Sequence, residues 1–167
     1  MKIRKFIGFT LAAAMLATVA SGCKHTDDSR TPPAGVWISF AFEDTWRTYG
    51  GTAALQHREF ILSQGLPESF PYTAMSQTGY GGVLLVGDLH DNPAAYDMSC
   101  PVENKPDIRI HYNEKDNDAV CERCGSHYHV IENYGQPKSG KAAELGYELR
   151  TYRIVDGPHG EYRVIRP

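Results

Sequence analysis

The sequence predicts an all-β fold, a β-sandwich or small barrel. Short runs rich in β-branched and aromatic residues recur at about ten-residue spacing with Gly, Pro, Asn and Asp between them, and no long amphipathic helix is present. The chain ends in two β-rich runs, Tyr147 to Val155 and Glu161 to Ile165, joined by Asp156-Gly157-Pro158-His159-Gly160, a hairpin signature. Two cysteine-bearing loops interrupt the pattern in the middle of the chain and mark a metal site.

In chain order, residues 1–22 stand apart. Lys2, Arg4 and Lys5 head an apolar run from Phe6 to Ala20, too short and too early for a membrane span, and the whole has the form of a secretory signal peptide. It closes on Ala20-Ser21-Gly22-Cys23, which resembles the lipobox of bacterial lipoproteins. That resemblance implies cleavage before Cys23, a lipid on its sulfur and an anchored, extracytoplasmic protein with the membrane as a partner. Ordinary cleavage would leave a free Cys23 instead. Residues 23–35, with Asp27-Asp28 and Pro32-Pro33, are too polar to bury a core and act as a flexible tether. Lys24 and the acidic pair resemble the signal that sorts some Gram-negative lipoproteins to the outer membrane.

Removing the signal leaves about 145 residues, one domain over 36–167. The net charge of −3 gives no basis for nucleic acid as a partner. Of four cysteines, three remain beside Cys23, and an odd count suits a metal better than a disulfide framework; a redox disulfide between Cys121 and Cys124 is the competing reading.

Within the domain, Val36 to Phe42 alternates as a buried strand. Ala53 to Leu62 fits a short helix limited by Gly50-Gly51 and Gly65. Strands are expected over Phe70 to Met75 and Gly82 to Asp88, and Ala95 to Ser99 delivers the chain into Cys100. Ile108 to Tyr112 and Tyr128 to Ile131 are strand-like, Asp116 to Asp118 and Asn133 to Gly135 are turns, and Pro137 to Ala142 is a glycine-bearing loop.

The site stretch is Cys100-Pro101-Val102-Glu103 and then Cys121-Glu122-Arg123-Cys124-Gly125-Ser126. Thiolates on two tight loops can converge on one soft metal, and the two-residue gap in Cys100-x-x-Glu103 and Cys121-x-x-Cys124 suits two ligands of one ion. Glu103 is otherwise an ordinary solvated carboxylate, and His127 and His129, on one face of a strand, are ordinarily surface residues. No Gly-x-Ser-x-Gly, His-Glu-x-x-His or phosphate-cradling loop occurs, so no catalytic residue is assigned.

The order of these motifs, continuing through Tyr128, Ser139-Gly140-x-Ala142 and Leu149-x-x-Tyr152-x-Ile154, resembles Rieske-type iron–sulfur domains. There, loops with Cys-x-His and Cys-x-x-His-Gly-Ser project from a β-sandwich and hold a [2Fe–2S] cluster. The resemblance covers about residues 36–166 and is strongest from Tyr96 to Ile154. It implies cluster ligation by Cys100 and Cys121, a hydrogen bond from Ser126 to the cluster, and Tyr128 as the aromatic that follows. Val102 and Cys124 stand where the family has its histidines. Three readings stay open. A [2Fe–2S] cluster on Cys100, Cys121 and Cys124, with Glu103, a histidine or an exogenous fourth ligand, would make a one-electron carrier serving a redox partner protein. Its potential would fall from the Rieske range of roughly −150 to +300 mV toward the roughly −400 mV of all-cysteine clusters. A structural zinc on the same residues would make a non-redox module. An empty site would leave a binding module alone.

Overall fold

A computed structural model describes residues 29–50, 53–157 and 163–166. The expected signal peptide, Cys23 with the start of the tether, and residues 158–160 of the expected hairpin turn lie outside the described residues. The architecture is mostly β, with antiparallel ladders throughout. The strands are β1 (Val36–Phe40), β2 (His57–Phe60), β3 (Gln77–Thr78), β4 (Val83–Gly87), β5 (Pro93–Asp97), β6 (His111–Asn113), β7 (Asp118–Cys121), β8 (Ser126–Tyr128), β9 (Pro137–Ser139), β10 (Thr151–Val155) and β11 (Arg163–Arg166). Two short helices accompany them, α1 (Glu43–Tyr49) and α2 (Lys141–Leu145). No helix among the described residues is long and apolar enough to cross a membrane.

Seven strands form one sheet in the order β2-β4-β5-β10-β11-β1-β3, and four form a second in the order β6-β7-β8-β9. The first sheet separates two cores, and β4 shows how. Its five residues are all buried, because β2 and β5 flank it and both faces are covered. Period-two alternation sends Val83 and Leu85 to one face and Leu84 and Val86 to the other. Val83 and Leu85 join Ile38, Phe40, Trp46, Phe60, Phe70 and Ile165. Leu84 and Val86 join Tyr96, Met98, Tyr128, Cys100 and Cys121. The cysteines are therefore part of a core wall.

Three local expectations are corrected. Residues 57–60 form the strand β2 rather than a helix, because His57 to Phe60 pairs in register with Val86 to Val83 and only Phe60 is fully buried, the habit of an edge strand. The helix lies earlier, at α1, where Glu43 and Asp44 favour the first turn, Arg47 the last, and Trp46 is buried. Phe70 to Met75 makes no ladder. Pro71 lacks a donor, and Phe70 serves as an aromatic hub with ring centroids 5.1 to 5.4 Å from Phe40, Phe60 and Tyr49. The loop expected over Pro137 to Ala142 contains β9 and the start of α2. The C-terminal runs pair as anticipated, Ile154 opposite Ile165.

The chain contacts the domain before β1. Thr31 is buried, Arg150 donates from Nε and Nη2 to its carbonyl at 3.1 and 2.8 Å, and Arg30 lies 4.7 Å from the Tyr147 ring centroid.

Candidate metal centre

The first cysteine loop leaves the end of β5. Beyond Asp97, the strand direction persists through Met98, whose N–H donates to Gly82 and whose carbonyl accepts from Ile110, and Cys100 N–H donates to Ile108 O at 3.0 Å. The chain then folds tightly, and Asn104 N–H returns to Cys100 O at 2.8 Å with Asn104 in the left-handed region at φ 51°. The second loop is the turn between β7 and β8, with Cys121 opposite Ser126. Here Gly125 N–H returns to Cys121 O at 2.8 Å, and Gly125 has φ 66°. The two loops repeat one design: cysteine, two intervening residues, a fourth residue, then a left-handed fifth whose amide closes the turn. Asn tolerates that fifth position and Gly takes it freely. Glu103 is the fourth residue of the first loop and Cys124 that of the second.

This turn aims amides at sulfur. The backbone amide of Glu103 favours the charged form of Cys100, and those of Arg123 and Cys124 favour the charged form of Cys121. The sulfurs of Cys100, Cys121 and Cys124 lie within 4.8 Å of one another, with Cys100 Sγ to Cys124 Sγ at 3.6 Å. Three thiols this close can hold a metal ion. Cys100 and Cys121 are fully buried; Cys124 is partly exposed. The neighbouring Cys121 thiol, together with the Glu103 amide, the Tyr128 hydroxyl and Cys124, outweighs burial, so the Cys100 pKa falls to about 5. Cys121 is pushed up by its neighbour Cys100 and by burial. A metal ion would bind the thiolates and displace their protons.

Two hydroxyls reach the sulfurs. Tyr128, fully buried on β8, has its Oη 3.7 Å from Cys100 Sγ, and burial together with the Cys100 charge raises its pKa. Ser126 Oγ lies 3.2 Å from Cys124 Sγ and accepts the Ala142 N–H at 2.9 Å, tying the second loop to the start of α2. Gly140 sits at φ 75° and ψ −162° with its α-carbon against the same loop; a Cβ there would fall 2.6 Å from Gly125 O.

Of the residues anticipated from sequence, Cys100, Cys121 and Cys124 come together, and Ser126 and Tyr128 touch them. The Glu103 carboxylate is not in the group, its backbone amide being what meets Cys100. His127 turns the other way, with Nδ1 3.0 Å from Asp118 Oδ2, where Lys138 Nζ also binds at 2.8 Å. Asp97 has no part in the site anticipated from sequence, yet it fixes the first loop. Fully buried, it accepts from Tyr80 N–H at 2.8 Å, Gly81 N–H at 3.1 Å, Ser99 N–H at 2.8 Å and Tyr152 Oη at 2.6 Å. A lone carboxylate inside Ala95-Tyr96-Asp97-Met98, with glycine amides available at 79–82, is the signal that points to it.

No protein-family model, curated protein or solved structure matches this chain.

Proposed function

We propose that the chain is a metal-binding β protein in which Cys100, Cys121 and Cys124 hold a single zinc ion that clamps the two loops. The observation that carries this reading is the closeness of the three sulfurs, all within 4.8 Å of one another. Sulfurs around one tetrahedral zinc, at about 2.3 Å from the metal, stand about 3.8 Å apart. Ligands on the two irons of a [2Fe–2S] rhomb are held apart by the whole cluster, so three thiolates gathered this tightly suit one ion better than two. The fourth ligand in this reading is Glu103, which holds in the first loop the place that Cys124 holds in the second. The Glu103 carboxylate, rotated toward the sulfurs, or a water in its stead would complete four-coordination. Zinc here contributes folding energy and takes part in no redox chemistry.

A second reading keeps the Rieske-like scaffold and a low-potential [2Fe–2S] cluster, the chain then serving as a one-electron carrier for a redox partner protein. What favours it is the pair of hydroxyl contacts to sulfur from Ser126 and Tyr128, at positions where the family resemblance expects a cluster-bonding serine and an aromatic residue. In both readings the domain is lipid-anchored through Cys23 on the extracytoplasmic side of a membrane, the outer membrane of a Gram-negative cell.

Metal analysis and visible absorption of the full chain, purified without oxygen, decide between them. One zinc per chain in a colourless protein supports the first reading. Two irons per chain with visible charge-transfer bands overturn it in favour of the carrier, and a protein without bound metal overturns both. Glu103→Ala is expected to weaken zinc binding by about tenfold if the carboxylate is a ligand, as loss of roughly 1.4 kcal/mol would do.

A further inference from the structure

The thiols differ in reach and in contact, and the difference goes beyond metal binding. Sequence alone would pair Cys121 with Cys124, as neighbours in a Cys-x-x-Cys motif. The sulfur in contact with Cys124 is instead that of Cys100, on the other loop, at 3.6 Å. Cys121 is fully buried and held by its own turn, its carbonyl accepting the Gly125 N–H at 2.8 Å. Cys124 is the one thiol of the three with solvent exposure. Its sulfur also meets Ser126 Oγ, and the neighbouring Gly125 has open space where a side chain would lie.

We propose that the metal-free site is a dithiol redox couple, with Cys124 the attacking thiol and Cys100 the resolving thiol, which closes as a Cys100–Cys124 disulfide and leaves Cys121 reduced. The oxidant is a small-molecule disulfide. The Cys124 thiolate attacks one sulfur of R–S–S–R, forming a Cys124–S–S–R bond and expelling RS⁻. The Cys100 thiolate then attacks Cys124 Sγ, forming the Cys100–Cys124 bond and expelling the second RS⁻. Two protein thiols lose two electrons, the disulfide R–S–S–R gains them, and the two thiol protons end on the two RSH released. Cys100 is fully buried and cannot meet R–S–S–R itself, so the order of the two steps follows from exposure. Forming the bond requires the sulfurs to close from 3.6 Å to the usual length of about 2.05 Å. Cys124, the partly exposed member of the pair, is the one placed to move.

The couple rests on the positions of the thiols and stands apart from the identity of any metal. The test uses the full chain, stripped of metal with a chelator, exposed to oxidised glutathione, quenched with N-ethylmaleimide under denaturing conditions and mapped by mass spectrometry of non-reduced peptides. The expected product links Cys100 to Cys124 with Cys121 alkylated. Cys121→Ser is expected to form the same link, and Cys100→Ser to stop at a stable glutathione adduct on Cys124. A Cys121–Cys124 link, a Cys100–Cys121 link, or no link in folded protein overturns the proposal, as does an adduct that accumulates on Cys100 or Cys121 in Cys124→Ser. Repeating the reaction after loading with zinc separates the two readings: zinc ligation predicts a rate lower by tenfold or more, and an unchanged rate with the same link would refute the zinc site while leaving the redox couple intact.

Discussion

Two glycines beside the cysteine loops look alike in sequence and are predicted to respond differently to alanine. Gly125 has φ 66° with no atom within 4 Å of the point where a Cβ would stand, so Gly125→Ala meets only the left-handed backbone, a cost of about 1–2 kcal/mol. Gly140 has φ 75° and ψ −162°, a region essentially closed to other residues and costing about 1–3 kcal/mol. Its added Cβ would also lie 2.6 Å from Gly125 O and 3.0 Å from Ser126 Cα. Both are backbone, so relief requires moving the second cysteine loop away from β9 and α2. Gly140→Ala is therefore expected to lose about 3 kcal/mol or more in urea unfolding of the metal-free protein, where loss of packing adds to the backbone term. Because the displaced group carries Cys121 and Cys124, zinc affinity measured by chelator competition should fall at least tenfold further than in Gly125→Ala. Equal zinc affinity in Gly140→Ala and the parent chain would show that the Gly140 loop does not brace the site, and the second loop would then owe its position to something else.

Other perturbations follow from single contacts. Ser126→Ala strips the acceptor from the buried Ala142 N–H and should cost about 1–3 kcal/mol in denaturant unfolding, while Ser126→Thr should retain most of the stability. Leu84→Ala, emptying a fully buried position between β2 and β5, should cost about 2–5 kcal/mol in the same assay. Burial alone would raise the Asp118 pKa, but hydrogen bonds from Lys138 and His127 outweigh it and hold the carboxyl below its usual range. A depressed folded-state pKa gives stability that is fully present above the unfolded value of about 3.9 and is lost as pH falls through the folded value. Urea midpoints between pH 5 and 2 should accordingly drop more steeply in the parent chain than in Lys138→Met, and parallel curves would refute the pairing. Stripping metal should lower the thermal midpoint yet leave a folded protein with its far-ultraviolet dichroism, since both cores persist without the ion.

The parts of this fold legible in the sequence are those where one local signal suffices. Val36 to Phe40 alternates cleanly, and Val83 to Val86 is apolar on both faces, which is what a strand with neighbours on either side needs. The two terminal runs pair as their β-rich composition implies, Ile154 opposite Ile165. His57 to Phe60 reads falsely as helix because an edge strand can be polar, and its pairing with β4 is non-local and invisible in a window of ten residues. Phe70 to Met75 has strand composition, but its aromatics serve the α1 side of the core, and composition does not distinguish a ladder from a packing hub. At the site, the cysteines are legible by type and spacing. Which thiol meets Cys124 is not, because Cys100 and Cys124 lie 3.6 Å apart on loops from different sheets, a matter of topology.

Topology also sets what the metal can contribute. In a small zinc finger the ion replaces a core, and the chain unfolds without it. Here Cys100 and Cys121 lie at 0% exposure within the same cluster as Leu84, Tyr96 and Tyr128, so the walls of the site are built by hydrophobic packing before any ion arrives. Asp97 adds a second anchor, since four donors from three separate segments converge on it and one of them is the amide immediately before Cys100. The first cysteine is thereby fixed to the sheet by covalent continuity and by a buried carboxylate. The second loop is held by the β7–β8 ladder, by the bond from Ala142 N–H to Ser126 and by the close approach of Gly140. Of the three cysteines Cys124 is the partly exposed one, so it is the one with room to move. Disulfide closure as proposed draws Cys124 toward Cys100, whereas a single zinc ion would hold the two sulfurs close to their present separation of 3.6 Å.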